Sequence, residues 1–417
     1  LRAAIGTVII IAGMGVRLLT LIVEGRGGLG WLSAALARRQ LKTDDSTARD
    51  PISPEHKLSI REHARGALGA PIQTAQITTI FEDWCGEHRQ GMVALTADRG
   101  MGKSRAIAAL AAQLGESHSV VQLIPPKRLT EPGAALLWLG QAAGLTDLVL
   151  PLSDDLEVQA EAVGARLKTL PETLFIVDDA HLLFLRSVGC IDALRAALIA
   201  MQASSGHHFW LCTFHGPAFA FLDGIRAVSH MAVFRARIHI DPTAPATLRA
   251  WLEGATSAVG PSPRYDVLLQ QPGSGAHLQR MLERTSAAYW RLLAEASQGN
   301  PDVALDYWLS GLHSPENPAV DAVDVTLFRT PENKGLDELD DTALFTLSAL
   351  IIHDGATLEE LHASLNLPES EVRGTCRSLE AMGIIEDEDG DETFEVTNSW
   401  LPTVERLLRR KSFLHRR

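Results

Sequence analysis

The order of apolar and polar positions changes character several times along the chain. Between residues 91 and 241, short apolar runs alternate with helical spacings, and the runs occupy 91–98, 119–125, 173–179, 207–214 and 234–240. The run at 173–179 is almost continuously apolar, which is typical of a parallel strand covered on both faces. Regular alternation of strands and helices predicts a parallel sheet with helices on both faces. We therefore predict an α/β fold for residues 91–241.

Two segments precede the predicted sheet. Residues 43–66 are polar and contain two prolines, which predicts a linker. Residues 71–90 carry apolar side chains at helical spacing, which predicts a helix. Residues 44–90 are accordingly divided into a linker and a leading helix.

Two further units follow the predicted sheet. Beyond Asp241 the strand pattern stops, and residues 242–315 predict a helical domain. Residues 340–385 predict three helices, and a hairpin is expected around Asp389 and Gly390. Three helices followed by a hairpin predict a winged helix within residues 316–417.

The longest apolar stretch lies near the N-terminus. Residues 3–23 contain one charge, Arg17, and have the length of a helix that crosses a hydrocarbon core of about 30 Å. Basic residues follow, which by the positive-inside rule places the rest of the chain on the cytoplasmic side of a bacterial-type inner membrane. We predict that residues 1–43 form a membrane anchor with a surface amphipathic helix at 30–42. A buried core helix and a signal sequence are the alternatives.

Charge and cysteine content argue against several classes of protein. The net charge of −13 argues against attraction of the whole surface to nucleic acid. The four cysteines are scattered and show no C-x-x-C spacing, which argues against a disulfide framework or a zinc site. The hydrophobic content of 46% allows large cores.

The segment TADRGMGKSR, residues 96–105, joins the first predicted strand to a helix of alanine and leucine. A phosphate-binding loop needs inward-facing N–H groups, a cation and a hydroxyl for Mg²⁺. Gly100 and Gly102 permit close approach of the backbone, Lys103 supplies the cation, and Ser104 supplies the Mg²⁺ ligand. We predict that nucleotide is bound by Ala97, Asp98, Arg99, Gly100, Met101, Gly102, Lys103, Ser104 and Arg105.

Polar side chains also end the third and fourth predicted strands. Asp178 is expected to hold Mg²⁺ through water, and Asp179 to polarise the attacking water. Thr213, or as second choice His215, is expected to contact that water or the γ-phosphate. The predicted catalytic residues are thus Asp179, Thr213 and Lys103. The alternative for the strand-end residues is a turn or a helix cap.

Residues 91–312 resemble the P-loop ATPases of the AAA+ and STAND groups. The resemblance rests on ADRGMGKS as Walker A, LFIVDDAH as Walker B, CTF as sensor one, and SQGNPDVAL as the lid motif. It implies ATP as the nucleotide, a helical lid over the base, and assembly of copies into a ring or a larger complex. A winged helix after the lid is typical of origin-recognition ATPases and of STAND regulators.

Three positions depart from the pattern of these ATPases. Ala97 replaces the first loop glycine, Asp179 stands where AAA+ proteins usually carry glutamate, and Asp302 lies where many lids place a sensor arginine. The candidates for an arginine that reaches a neighbouring subunit are Arg226, Arg235 and Arg237, each of which has a simple surface charge as its alternative. We expect an ATP site with slow turnover.

Three functions are compatible with these patterns. The leading hypothesis is a membrane-associated ATPase switch that couples its nucleotide state to a protein partner through the winged helix. The alternative is a DNA-binding ATPase, a loader or transcription regulator, but the predicted wing (386–395) is acidic and would repel a duplex. The basic tail 406–417, in contrast, favours contact with nucleic acid or acidic lipid. The third hypothesis is a nucleotide-binding scaffold without turnover.

Overall fold

The computed structural model describes residues 50–414 except 72, 226–231, 261, 270–274, 317–321, 332–334 and 388–389. The segments predicted to span the membrane and to lie on its surface, 3–23 and 30–42, are outside the described residues. Within the described residues, no helix combines the length and the apolar character needed to cross a bilayer.

A five-stranded parallel sheet forms the centre of the molecule. Its strands are β1 (Met92–Ala97), β2 (Val120–Leu123), β3 (Leu174–Val177), β4 (Phe209–His215) and β5 (Ala236–His239). Their order is β2-β3-β4-β1-β5, and every neighbouring pair is parallel. The C-terminal ends of β1, β3 and β4 therefore meet at one edge of the sheet. The predicted parallel α/β sheet is confirmed.

Helices cover both faces of this sheet. Helix α1 (Pro54–Ala67) packs on the helical unit that follows the sheet. The helices on the sheet are α2 (Gln73–Glu87), α3 (Lys103–Leu114), α4 (Pro132–Ala143), α5 (Leu156–Leu167), α6 (Asp192–Ser204) and α7 (Gly216–Gly224). Successive side chains of a strand point to opposite faces. Accordingly Val93 and Leu95 share an apolar cluster with α2 and α3, whereas Met92 and Ala94 share one with α4, α5 and α6.

The predicted linker at 43–66 is wrong over its second half, which is part of α1. Ser53 caps this helix by accepting a hydrogen bond from the His56 N–H at 3.2 Å, and Pro54 occupies the first turn, where its missing N–H costs nothing. Ile60 and Ala64 are buried. Trp251 donates a hydrogen bond from Nε1 to the Ala64 carbonyl at 2.7 Å. Two buried positions on a mostly polar helix were too few to give a clear sequence signal.

The unit that follows the sheet is helical but not wholly so. It contains α8 (Pro245–Val259), α9 (Gly275–Ala296) and α10 (Pro301–Ser310), together with strands β6 (Ser262–Arg264), β7 (Leu312–His313) and β8 (Ala322–Val325). The strands form a small sheet in the order β6-β8-β7. The expectation that strands stop at Asp241 was therefore wrong. Strands of two to four residues are too short to produce a recognisable alternation.

Residues 340–414, which we call the C-terminal unit, combine helices with a small antiparallel sheet. The elements are α11 (Asp341–His353), β9 (Ala356–Thr357), α12 (Leu358–Leu365), α13 (Glu369–Ala381), β10 (Ile385–Asp387), β11 (Thr393–Val396) and α14 (Leu401–Arg410). The sheet order is β10-β11-β9. Helix α11 packs against α7, and the core of this unit is continuous with one apolar face of the central sheet. The C-terminal unit is thus docked on the parallel-sheet domain.

Candidate nucleotide site

The loop between β1 and α3 has the backbone that a phosphate cradle needs. Ala97 is the last residue of β1 and has an extended strand backbone, so alanine is accommodated there. Gly100 and Gly102 have φ of 76° and 99°, values that side chains disfavour. Lys103 begins α3 directly after Gly102, which caps the helix. The N–H groups of the first turn of α3 and the loop glycines therefore lie together, as anion binding requires.

Lys103 faces carboxylates from two different parts of the chain. Its side chain is only 10% exposed, and Nζ lies 4.0 Å from Asp179 Oδ1 and 4.0 Å from Asp354 Oδ2. Asp179 follows β3, as the sequence places it. Asp354 comes from the C-terminal unit, where it caps α11 with φ 55°. The expected phosphate cation is therefore paired, in this arrangement, with an acid that sequence reasoning did not include.

Asp178 is buried and held by three hydrogen bonds. Its Oδ1 accepts from Thr213 Oγ1 at 2.7 Å and from the Asp179 N–H at 3.1 Å, and its Oδ2 accepts from Gln122 Nε2 at 3.1 Å. Thr213 Oγ1 also accepts from the Asp179 N–H at 2.9 Å. The Thr213 hydroxyl, expected at the water or the γ-phosphate, is thus engaged with the two aspartates. Gln122 on β2 was not predicted, because one polar residue in a strand carries no distinctive signal.

Asp179 is partly buried and has a left-handed backbone conformation. Its φ is 50°, and His181 Nδ1 lies 3.8 Å from its Oδ1. Burial raises the pKa of Asp179 to about 6; the charge of Lys103 opposes the rise, while Asp178 and Asp354 add to it. Burial also lowers the pKa of His181 well below its usual value, so this ring is neutral at pH 7. The carboxylate is therefore ionised at neutral pH but retains more basicity than an ordinary aspartate.

Asp354 is an ionised carboxylate of the site. Burial alone would raise its pKa, but its neighbours His215, Lys103, His181 and Arg99 together outweigh burial and hold the pKa below its usual range. His215, the second choice for a phosphate contact, has its Nδ1 3.7 Å from Asp354 Oδ2. The side chain of Asp354 is 20% exposed. An ionised carboxylate thus lies among the cations of the phosphate loop.

Arg99 connects the loop to the C-terminal unit a second time. Its guanidinium pairs with Glu395 on β11, donates to the Val396 carbonyl at 3.4 Å, and lies 4.0 Å from Asp354 Oδ1. Two cations of the loop, Arg99 and Lys103, therefore face two acids of the C-terminal unit.

The helical unit that follows the sheet (242–315), which we call the lid after its predicted role, contacts the same loop. A Cβ at Gly100 would lie 2.8 Å from Asn300 Oδ1 and 3.0 Å from Asp302 Oδ2, so a side chain there would collide with the lid. Asp302 is the residue in place of the sensor arginine, and burial raises its pKa while the charge of Arg105 lowers it. Arg105 folds back over Gly102, because a Cβ on that glycine would be 2.6 Å from Arg105 Nη2. At this part of the loop, α3 therefore contributes the cation Arg105 and the lid contributes the acid Asp302.

A cavity of about 150 Å³ lies where the loop, the lid and α14 meet. It is lined by Asp98, Arg99, Met101, His215, His239, Pro242, Ser297, Gln298, Asn300, Leu401, Pro402 and Glu405. Typical small-molecule sites measure about 300–1,000 Å³. This cavity is therefore smaller than a typical small-molecule site, and Lys103 and Ser104 are not part of its lining.

The available oxygen ligands fit a magnesium ion that is shared with phosphates. Ser104 is exposed in the first turn of α3, and the Asp178 carboxylate lies at the end of β3. In the described part of the chain, no group of three or more His, Cys, Asp or Glu side chains forms a metal site by itself. Mg²⁺ commonly takes one or two protein ligands and completes its shell with phosphate oxygens and water. Ser104 and Asp178 are the residues that would hold it.

The three candidate inter-subunit arginines differ in their surroundings. Arg226 lies outside the described residues. Arg237, on the edge strand β5, donates to Asp223 Oδ1 at 2.7 Å and lies 5.5 Å from the centre of the Phe219 ring. Arg235 is exposed immediately before β5.

Comparison with known proteins supports the same class of domain. Residues 86–214 match the family model described as AAA domain. No curated protein matches the chain. Among solved structures, the chain is similar to Cdc6p from Pyrobaculum aerophilum, with 14% identity, 82% of this chain and 95% of that chain covered, and a TM-score of 0.38.

Two other solved structures show comparable similarity. The Aeropyrum pernix ORC1 protein in complex with DNA has 16% identity, coverage of 82% of this chain and 93% of that chain, and a TM-score of 0.38. The Thermotoga maritima RuvB Holliday junction branch migration motor has 16% identity, coverage of 79% and 93%, and a TM-score of 0.33. These likenesses are distant. The matched span 86–214 contains β1, the phosphate loop, β3 and most of β4. Over this span the chain is therefore similar to an AAA domain.

Proposed function

We propose that this chain is an ATP-binding and ATP-hydrolysing switch whose C-terminal unit responds to the state of the phosphate site and transmits it to a protein partner. The observation that carries the proposal is the 4.0 Å separation between Asp354 Oδ2 and Lys103 Nζ. Lys103 is the loop cation expected to meet the β- and γ-phosphates. A carboxylate and a phosphate compete for the same cation, so ATP binding disfavours the docked position of Asp354.

The contact of Arg99 with Glu395 and the Val396 carbonyl extends this competition to the loop backbone. Phosphate binding orders the loop around the anion, whereas docking of β11 holds Arg99 toward the C-terminal unit. The two states therefore impose different demands on the same five residues, Arg99 to Lys103. This difference in contacts is what allows a ligand to shift a conformational equilibrium.

Hydrolysis in this proposal uses residues that are already close together. Lys103 and the loop N–H groups hold the phosphates, Ser104 and Asp178 hold Mg²⁺, and Asp179 accepts a hydrogen bond from the attacking water. Bound Mg²⁺ supplies neutralisation of the charge on the phosphates. Thr213 keeps the two aspartates in position. Asp302 in place of a lid arginine removes one source of charge stabilisation, which supports slow turnover.

A protein partner fits the C-terminal unit better than DNA does. We infer a winged helix from its order of helices and hairpin, but Arg373 on α13 pairs with Glu369 at 2.7 Å and with Glu392. The hairpin adds further acids, and phosphate contacts need available cations. We further propose that residues 3–23 hold the chain at a membrane with the ATPase in the cytoplasm, and that Arg235 or Arg237 meets a neighbouring copy.

Binding measurements with the purified full chain test the switch. Lys103→Ala should abolish ATP binding. Asp354→Asn keeps the size of the side chain and removes its charge, so apparent ATP affinity should rise about tenfold, within the usual range of coupling between sites. Asp341→Asn is the matched control, because it makes the same change at the opposite end of α11, about 20 Å away at 1.5 Å per residue.

Hydrogen exchange of residues 393–396 measures undocking in the same samples. Saturating ATP should accelerate it in the wild type and should add little in Asp354→Asn. Unchanged ATP affinity in Lys103→Ala would exclude the loop as the nucleotide site. If Lys103→Ala fails to bind ATP but Asp354→Asn binds it as tightly as the wild type, the loop is the nucleotide site and the proposed switch is wrong.

A further inference from the structure

A single buried arginine joins the segment after Asp179 to the turn that carries Asp354. Arg128 lies between β2 and α4, and its side chain is 4% exposed. Nη1 donates to the carbonyls of His181 and Phe184, each at 3.2 Å. Nη2 donates to the carbonyls of His353 and Gly355, each at 3.1 Å. The acceptors of one nitrogen therefore belong to the parallel-sheet domain, and those of the other belong to the C-terminal unit.

A carboxylate of the C-terminal unit completes the surroundings of this guanidinium. Glu360 Oε1 lies 3.1 Å from Arg128 Nε. Glu360 also forms a capping box with Thr357 at the start of α12, which fixes its position. The hydrogen bonds of Arg128 are thus those of Nη1 and Nη2, while Nε is buried without one and lies at ion-pair distance from Glu360. Among the described residues, the carboxylate paired with this guanidinium belongs to the C-terminal unit.

On the side of the parallel-sheet domain, Arg128 is firmly anchored. The neighbouring Leu129 N–H donates to the Leu182 carbonyl at 2.8 Å, and Leu182 belongs to the short 3-10 helix Ala180–Leu183 that follows Asp179. A second bond crosses nearby, from the Arg186 N–H to His353 Nε2 at 3.2 Å. The segment 180–186 is therefore bound to both Arg128 and the Asp354 turn.

We propose that Arg128 is the positioning residue that holds Asp354 in the phosphate site and makes docking of the C-terminal unit nearly all-or-none. If the C-terminal unit separated from the parallel-sheet domain, Arg128 would lose the His353 and Gly355 carbonyls and the Glu360 carboxylate together. A guanidinium that keeps only two neutral acceptors is stable only when water reaches it. Intermediate positions, in which the charge is neither paired nor hydrated, are therefore disfavoured.

This inference rests on the proposed function for its effect on ATP, because undocking then increases the fraction of molecules whose Lys103 is available to phosphate. The role of Arg128 in docking can be measured without nucleotide. The docking role of Arg128 and its effect on ATP affinity can therefore be contradicted separately in one set of measurements.

Hydrogen exchange without nucleotide, on the full chain, tests the docking role. The variants are Arg128→Ala, Arg128→Lys, which keeps the charge but loses the planar set of donors, and Glu360→Gln, which can retain the capping box. Exchange of residues 353–357 and 393–396 should accelerate about tenfold in Arg128→Ala and in Arg128→Lys, and less in Glu360→Gln. Exchange of β1, residues 92–97, should stay slow and report that the sheet remains folded. Arg249→Lys is the control, since its pair with Glu253 is exposed on α8.

ATP affinity of the same variants tests positioning against a purely structural role. Arg128→Lys should raise apparent affinity about tenfold, as Asp354→Asn does, and the double variant should show no further gain because both act on one equilibrium. Wild-type exchange at 353–357 in Arg128→Lys and Glu360→Gln would overturn the inference. Accelerated exchange with unchanged ATP affinity would retain the docking role and overturn its link to the phosphate site. If exchange of β1 also accelerates in Arg128→Ala, that variant has unfolded the sheet. The docking role is then judged from Arg128→Lys and Glu360→Gln alone.

Discussion

Asn300 of the lid donates a hydrogen bond from Nδ2 to the carbonyl of Arg99 in the phosphate loop, at 2.6 Å. The Oδ1 of the same side chain accepts from the N–H groups of Asp302 and Val303, at 3.0 and 3.3 Å, and so caps α10. One amide therefore fixes both the start of the lid helix and its contact with the loop. The conformation of the loop and the position of the lid are linked through it.

Substitution of Asn300 separates these two roles. Asn300→Ala removes both the cap and the loop contact, and should lower the free energy of unfolding by about 1–2 kcal/mol and weaken ATP binding. Asn300→Ser keeps a capping oxygen but is too short to reach the Arg99 carbonyl, so it should keep most of the stability and still weaken binding. Urea unfolding and ATP titration measure the two effects. Equal ATP affinity in Asn300→Ser and the wild type would contradict the link between lid and loop.

Gly100 should tolerate no side chain. Its φ is 76°, and a Cβ would lie 2.8 Å from Asn300 Oδ1. Gly100→Ala should therefore destabilise the fold by about 1–3 kcal/mol, the cost of a strained backbone position, and reduce ATP affinity. Gly254→Ala is the control, because Gly254 lies within α8 with no atom within 4 Å of the added Cβ; it should be neutral or stabilise by up to about 1 kcal/mol. Thermal unfolding of both variants checks the contrast, which similar shifts in the two would refute.

The hydroxyl of Thr213 should matter more than its methyl group. Thr213→Val leaves the buried Asp178 carboxylate and the Asp179 N–H each without one partner, at a cost of about 1–3 kcal/mol. ATP hydrolysis should fall at least about tenfold, because both aspartates lose their orientation. Thr213→Ser keeps the hydroxyl and should stay close to wild type. Phosphate release under saturating ATP provides the measurement, and full activity in Thr213→Val would show that the hydroxyl does not position the aspartates.

Local sequence signals were sufficient for the parallel-sheet domain. The apolar runs that became β1, β3 and β4 are bounded by polar residues, and Gly100, Gly102, Lys103 and Ser104 are adjacent in the chain. Their relation to one another is therefore fixed by a single strand, turn and helix. The position of Asp178 near the loop was also predictable, because parallel strands present their C-terminal ends at a common edge. The membrane segment 3–23 stays a prediction.

The contacts of the C-terminal unit with the site could not be predicted in the same way. Asp354 ends a helix whose sequence resembles any buried helix, and Arg128 lies in a loop rich in proline and charge. The role of each residue depends on partners that are distant in the chain. The sequence pattern does not specify how separate units dock, so these contacts could not be predicted. Gln122 is similar, because a single polar residue in a strand indicates nothing until the neighbouring strand is known.

The raised pKa of Asp179 predicts a pH dependence with a definite sign. The folded protein holds this proton up to about pH 6, whereas an ordinary aspartate releases it near 3.8. Between these values the fold binds more protons than the unfolded chain, so the contribution of Asp179 to stability falls as pH rises and its cost is complete above about pH 6. The carboxylate is 39% exposed, so solvent screening reduces that cost to about 1 kcal/mol.

Asp179→Asn should therefore raise the free energy of unfolding by about 1 kcal/mol at pH 7.5 and leave it unchanged below about pH 4. The same change should abolish ATP hydrolysis at every pH. Wild-type hydrolysis should rise as pH increases through about 6, as the carboxylate ionises. Urea unfolding at several pH values and phosphate release on the same samples test both effects. A difference in stability that is constant from pH 4 to pH 7.5 would show that Asp179 titrates as an ordinary aspartate, and its assignment as the group that polarises water would then lose its support from basicity.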